Sequence, residues 1–104
     1  MKTYLVTLHG SNLVKFGRTK NIKSRTQQIK TSNPFIKSVV SVDGDFESFI
    51  HRCLNEFRVT GEWFDLGDLN EKEIENLFAS LIQIRTKSIN DCEAVSKYLN
   101  LTNY

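Results

Sequence analysis

Four side chains in this sequence belong to types that hold anions or move protons: Tyr4, Lys15, Arg25 and Glu47. A phenol or an amine takes or gives a proton, a guanidinium fork grips an anionic oxygen pair, and a carboxylate holds a hard divalent cation. His51 follows Glu47 by four residues, the spacing that stacks two side chains on one face of a helix. Each also has an ordinary explanation. Tyr4 suits a half-buried strand aromatic and Lys15 a solvated strand lysine; Arg25 suits a surface cation, Glu47 an acid favoured in the first turn of a helix, and His51 a helix histidine bonded to a carbonyl. Chemistry requires the chain to bring these groups together, and that depends on the elements between them.

The runs 3–8 and 13–18 read as strands joined by the four-residue loop His9-Gly10-Ser11-Asn12. Closing the hairpin with Leu8 opposite Leu13 sets Val6 against Lys15 and Tyr4 against Gly17. Strand alternation then puts Tyr4, Val6, Lys15 and Gly17 on one face and Leu5, Val14 and Phe16 on the other. Tyr4 and Lys15 become diagonal neighbours with α-carbons roughly 7–8 Å apart. Asn21 caps a helix over 22–31 that turns Ile22, Thr26 and Ile29 inward and leaves Lys20, Lys23 and Lys30 wet, until Asn33-Pro34 stops it. The β-branched run 35–42 is a third strand.

Asp43-Gly44-Asp45 forms a turn and cap before a second helix over 45–57, with Phe46, Phe49, Ile50, Cys53, Leu54 and Phe57 at helical spacing. Thr60-Gly61-Glu62-Trp63-Phe64 reads as a tight turn bearing two aromatics. A third helix runs from Asp68 with Ile74, Leu77, Phe78, Leu81 and Ile82 as its stripe, and Asp91 caps a last short helix carrying Val95, Tyr98 and Leu99. The expected fold is α+β: a small three-stranded, mainly antiparallel sheet flanked by helices, in the order ββαβα and then two C-terminal helices. One domain spans 1–104, with its core over 2–66 and a helical extension over 68–101.

A chain of 104 residues has room for one such domain, and 39% apolar residues suffice for its core, which excludes disorder. No apolar run approaches the ~18–20 residues of a membrane span, and the stretch after Met1 is too short for a signal peptide. A cytoplasmic location without a membrane partner is the expectation. Cys53 and Cys92 belong to no Cys-x-x-Cys pair and read as reduced, buried thiols. Charge is divided unevenly: residues 1–42 hold eight Lys/Arg and no Asp or Glu, and all twelve acids lie beyond them. A phosphate-bearing partner on the basic side is one reading, and a solvated basic face is the other.

Tyr4 precedes Gly17 by thirteen residues and Arg25 follows it by eight. That arrangement resembles the GIY-YIG nuclease superfamily, whose core is a hairpin carrying two motifs followed by an arginine-bearing helix. The resemblance is to a phage and viral subgroup whose second motif reads Lys-Ile-Gly-Arg-Thr, matched here by Lys15-Phe16-Gly17-Arg18-Thr19. Glu47 and His51 match that subgroup's Glu-x-x-x-His pair, and Gly61-Glu62-Trp63-Phe64 its Gly-Glu-Trp-Phe segment. The likeness covers residues 2–66. The first motif, Lys2-Thr3-Tyr4, keeps only its tyrosine.

This resemblance implies a DNA endonuclease or nickase dependent on Mg²⁺ or Mn²⁺. By the same resemblance Glu47 holds the metal, Arg25 clamps a phosphoryl oxygen, Lys15 or Tyr4 accepts the proton of the attacking water, and His51 reaches the same cleft. For Lys15 the role needs cationic neighbours, Arg25 and Arg18, to favour its neutral form. Arg18, Lys20, Lys23 and Lys30 are then the DNA-binding cations; Trp63-Phe64 reads as packing beneath the site, with stacking on a base as the other reading. The alternative, suggested by the eroded first motif, is a nuclease-derived module that binds nucleic acid or protein without cutting. The C-terminal helices offer a homodimer contact. Neutralising Lys20, Lys23 and Lys30 together is expected to weaken DNA binding for all sequences alike, with each lost phosphate contact reducing the salt slope by roughly 0.9 on duplex DNA. A triple variant with wild-type affinity and salt slope would place the DNA surface elsewhere.

Overall fold

The computed structural model describes residues 1–87. Strands β1 (Lys2–Leu8) and β2 (Leu13–Thr19) form the expected hairpin, with Tyr4 opposite Gly17 and Val6 opposite Lys15. Helix α1 (Ile22–Ser32) follows, and the Asn21 side chain accepts from the Ser24 N–H at 3.1 Å. Strand β3 (Ile36–Asp43) returns antiparallel to β1 along its other edge.

The sheet has five strands rather than three. After helix α2 (Glu47–Cys53) and a 3₁₀ turn (Asn55–Phe57), the segment expected to be a tight turn is a hairpin of β4 (Arg58–Thr60) and β5 (Trp63–Asp65). Strand β5 pairs with β2, so the order is β3-β1-β2-β5-β4 with every neighbouring pair antiparallel. These strands have three residues each, too few for alternation to show, and only pairing with β2 holds them extended. Helix α3 (Glu71–Thr86) begins after Asn70, which forms a capping box with Glu73, three residues beyond the expected Asp68. The helix expected from Asp91, with Cys92, lies outside the described residues.

The two faces of the sheet bury different partners. On one, α1 packs Ile29 and Ile22 against Tyr4 and Val6. On the other, Leu5, Val14 and Phe16 meet Phe49, Ile50, Cys53 and Leu54 of the α2 region and Ile74, Leu77, Phe78 and Leu81 of α3. Phe16 is central there, with ring centroids 5.6 Å from Phe64 and 5.9 Å from Phe78. The apolar stripe of α3 is therefore spent on the core and is not free to bury itself against a second copy of the chain. No helix among the described residues is long and apolar enough to cross a membrane.

Helix α2 starts where β1 tells it to. The expected Asp45 cap is absent: the N-cap position is Phe46, with no side-chain cap bond, and Asp45 is drawn off to Arg18 at 2.5 Å. The capping oxygen comes from Thr3, which is fully buried. Its Oγ1 accepts from the Phe46 N–H at 2.8 Å and donates to the Gly44 carbonyl at 2.8 Å. Thr3→Val keeps the shape and strips both bonds, so it is expected to cost about 1–3 kcal/mol in chemical denaturation, the cost of leaving buried polar groups unpaired. A variant as stable as wild type would show that Thr3 does not hold the start of α2.

Candidate active site

Strand β5 covers only half of β2. It pairs Leu13, Val14 and Lys15 with Asp65, Phe64 and Trp63, and beyond Lys15 this edge of β2 has no strand beside it. The last backbone bond across that edge runs from the Phe16 N–H to the Glu62 carbonyl at 3.2 Å. The Phe16 carbonyl, which a longer β5 would have paired, instead accepts from Nε2 of His51 at 2.7 Å. The His51 ring also packs on Phe64, with centroids 5.0 Å apart. His51 thus ties α2 to the open half of β2 through one ring nitrogen and leaves Nδ1 for other partners.

Gly17 lies on this open half, and the Tyr4 ring rests on it. A Cβ at Gly17 would meet Tyr4 Cζ at 2.5 Å, so no larger residue fits beneath the ring without displacing it. Tyr4 is 2% exposed. Burial pushes its phenol above the usual tyrosine range; the Glu62 carboxylate adds to this, the Arg25 guanidinium opposes it, and Glu47 adds again. The phenol starts on the α1 face, yet it senses a carboxylate from α2 and another from the β4–β5 turn.

Glu47 completes the group from the other face. Its side chain is 20% exposed and lies 3.7 Å from Arg18 Nε. Burial raises its carboxyl above the usual range; Glu62 raises it further, His51 and Arg18 lower it, and Asp45 raises it. The expected neighbours of Lys15 differ from those observed. Lys15 Nζ lies 3.6 Å from Glu62 Oε2 and 5.9 Å from the centroid of the Trp63 ring, while Arg18 faces Asp45 and Glu47. The residue beside the amine is an anion, not a cation.

Tyr4, Arg25, Glu47 and His51 are therefore joined electrostatically, with Lys15 tied to the same group through Glu62. Arg25 is exposed on α1, as are Lys23 and Lys30; Lys20 is exposed just before it. None of these four forms an ion pair with a described residue, whereas Arg18 is engaged by two carboxylates. Sequence reasoning missed Glu62. Its motif was legible, but its charge gains meaning only once β5 lies beside Lys15. Among the described residues no three His, Cys, Asp or Glu side chains cluster as a self-sufficient metal site. Glu47 and Glu62 are the carboxylates of this group that could supply oxygen donors to a hard cation.

The sequence profile of the T5orf172 domain matches residues 3–82, from β1 into α3 and across every residue of this group. No curated protein and no solved structure matches the chain.

Proposed function

The chain belongs to the T5orf172 domain family, a phage-associated domain related to nuclease folds, and we propose that it is a GIY-YIG-type endonuclease or nickase that hydrolyses DNA phosphodiesters with Mg²⁺ or Mn²⁺. One observation carries this reading: the buried Tyr4 ring lies on Gly17 at the half of β2 that β5 leaves open, and His51 and Glu47 of α2 engage Phe16 and Arg18, the residues that flank Gly17. A merely structural tyrosine and a surface acid have no reason to be so arranged. Hydrolysis needs a group to take the proton of the attacking water, cations for the phosphoryl charge, and a place for a divalent ion.

Glu47, helped by Glu62, would hold Mg²⁺, which when bound supplies charge neutralisation at the phosphoryl oxygens. Arg25, unpaired among the described residues, is suited to grip a non-bridging oxygen. Lys15 serves better as a phosphate-binding ammonium than as the base, because its partner is Glu62. The proton falls to Tyr4. Burial, Glu62 and Glu47 hold the phenol protonated in the free chain, so it would first lose its own proton to solvent, a loss favoured once a cation offsets the charge of the two carboxylates. The phenolate takes one proton of the water as its oxygen adds to phosphorus, the bond to the leaving oxygen breaks, and that oxygen takes up a proton from solvent.

A second reading, a DNA-holding domain that does not cut, draws support from the self-pairing of Lys15 and Arg18 with carboxylates. Supercoiled plasmid incubated with the protein in Mg²⁺ or in EDTA separates the two. Nicking in Mg²⁺ alone is expected, and Glu47→Gln is expected to lower it by at least ~10²-fold. The same change should stabilise the fold. Because the Glu47 carboxyl is raised in the folded chain, its ionisation costs stability as pH rises through the folded value. Glu47→Gln should therefore melt above wild type at neutral pH, with the difference vanishing below the usual carboxylate range. Unchanged nicking by Glu47→Gln would overturn the assignment, and absence of nicking under any metal would favour the binding domain.

A further inference from the structure

Next to Lys15 the sheet carries an apolar groove that the catalytic reading leaves unused. It is a cavity of about 340 Å³ lined by Leu8, Leu13, Asn33, Val59, Thr60 and Trp63. Its size is at the low end of pockets that take a small organic molecule, roughly 300–1,000 Å³. The two aromatics of the Gly-Glu-Trp-Phe segment part company here. Phe64 is fully buried, whereas Trp63 is only half-buried and lines the groove, and Val59 beside it is 56% exposed. Apolar surface is thus left open within reach of the amine of Lys15, which stands 5.9 Å from the Trp63 ring centroid.

We propose that this groove receives one unpaired nucleobase of the DNA substrate, stacked on Trp63, while the adjoining phosphate engages Lys15. The inference rests on the DNA-cleaving reading and adds a preference to it: for sites where a base beside the scissile phosphate is unpaired. Three features favour a nucleobase as the occupant. The walls are apolar, as a flat ring face requires. The polar groups on the rim are Asn33 and Thr60; Asn33 Oδ1 already accepts from the Phe35 N–H at 2.9 Å, which leaves its amide donors for a base edge. The flank is cationic, with Lys15 beside the ring and Lys30 in the last turn of the helix that Asn33 closes. An apolar slot with a hydrogen-bonding rim and a cation at its mouth matches the three parts of a nucleotide.

Trp63 is the chain's single tryptophan, so its emission reports this groove alone. The full chain in EDTA is titrated with three labelled duplexes: one fully paired, one with a single bulged adenine, and one with an abasic residue in the bulge. Affinity is read by anisotropy and stacking by quenching of Trp63. The bulged adenine is expected to quench Trp63 and to bind about tenfold more tightly than the other two, the fold-change that base–aromatic stacking supplies. Trp63→Leu, checked for folding by circular dichroism, should bind the three duplexes alike. Equal affinities with unchanged emission would overturn the base pocket while leaving DNA binding intact. Absence of anisotropy change with any duplex would overturn the DNA reading itself, and the pocket with it.

Discussion

The contact between the Tyr4 ring and Gly17 is the constraint on which the rest of the site depends. Side chains on neighbouring strands normally stand side by side over the sheet. Here the position opposite Tyr4 has no side chain, and the ring lies over bare backbone toward the edge that β5 leaves uncovered. A methyl at Gly17 would occupy the space of the ring itself. The phenol is thereby buried and carried into the field of Glu47 and Glu62, which belong to other elements.

Around that contact, long-range bonds fix the parts that approach from the opposite face. Thr3, next to Tyr4 on β1, lends its hydroxyl to the start of α2, and so the same strand that positions the phenol also positions Glu47. His51 takes the Phe16 carbonyl that a longer β5 would have used. Arg18, next to Gly17, reaches Asp45 and Glu47. The charges nearly balance: each cation close to the phenol has a carboxylate to answer it, apart from Arg25. Lys20, Lys23, Arg25 and Lys30, on and before α1, are exposed and form no ion pair with a described residue.

Much of this was legible in the sequence where short-range rules govern. The register of the hairpin followed from strand alternation and a four-residue loop, which set Tyr4 opposite Gly17; that the ring folds down onto the glycine did not follow from it. Asn21 announced α1 by its type and position, and the stripe of α3 by its spacing. What escaped was whatever a distant partner decides. Strands of three residues carry no period, so β4 and β5 looked like a turn. Asp45 had the right type for a cap, but Arg18, 27 residues before it, competes for it, and Thr3, 43 residues before Phe46, replaces it. Glu62 appeared as a letter of a motif, and its tie to Lys15 exists only because β5 lies against β2.

The Tyr4 phenol lies in the field of the Glu62 and Glu47 carboxylates. Titrating the chain with tyrosine labelled at ¹³Cζ, and assigning Tyr4 by loss of its signal in Tyr4→Phe, measures that coupling directly. Tyr4 is expected to ionise above the usual tyrosine range, and Glu62→Gln to bring it down, because after burial the Glu62 carboxylate does most to hold the phenol neutral. A Tyr4 that titrates in the ordinary range, or one indifferent to Glu62→Gln, would contradict that coupling.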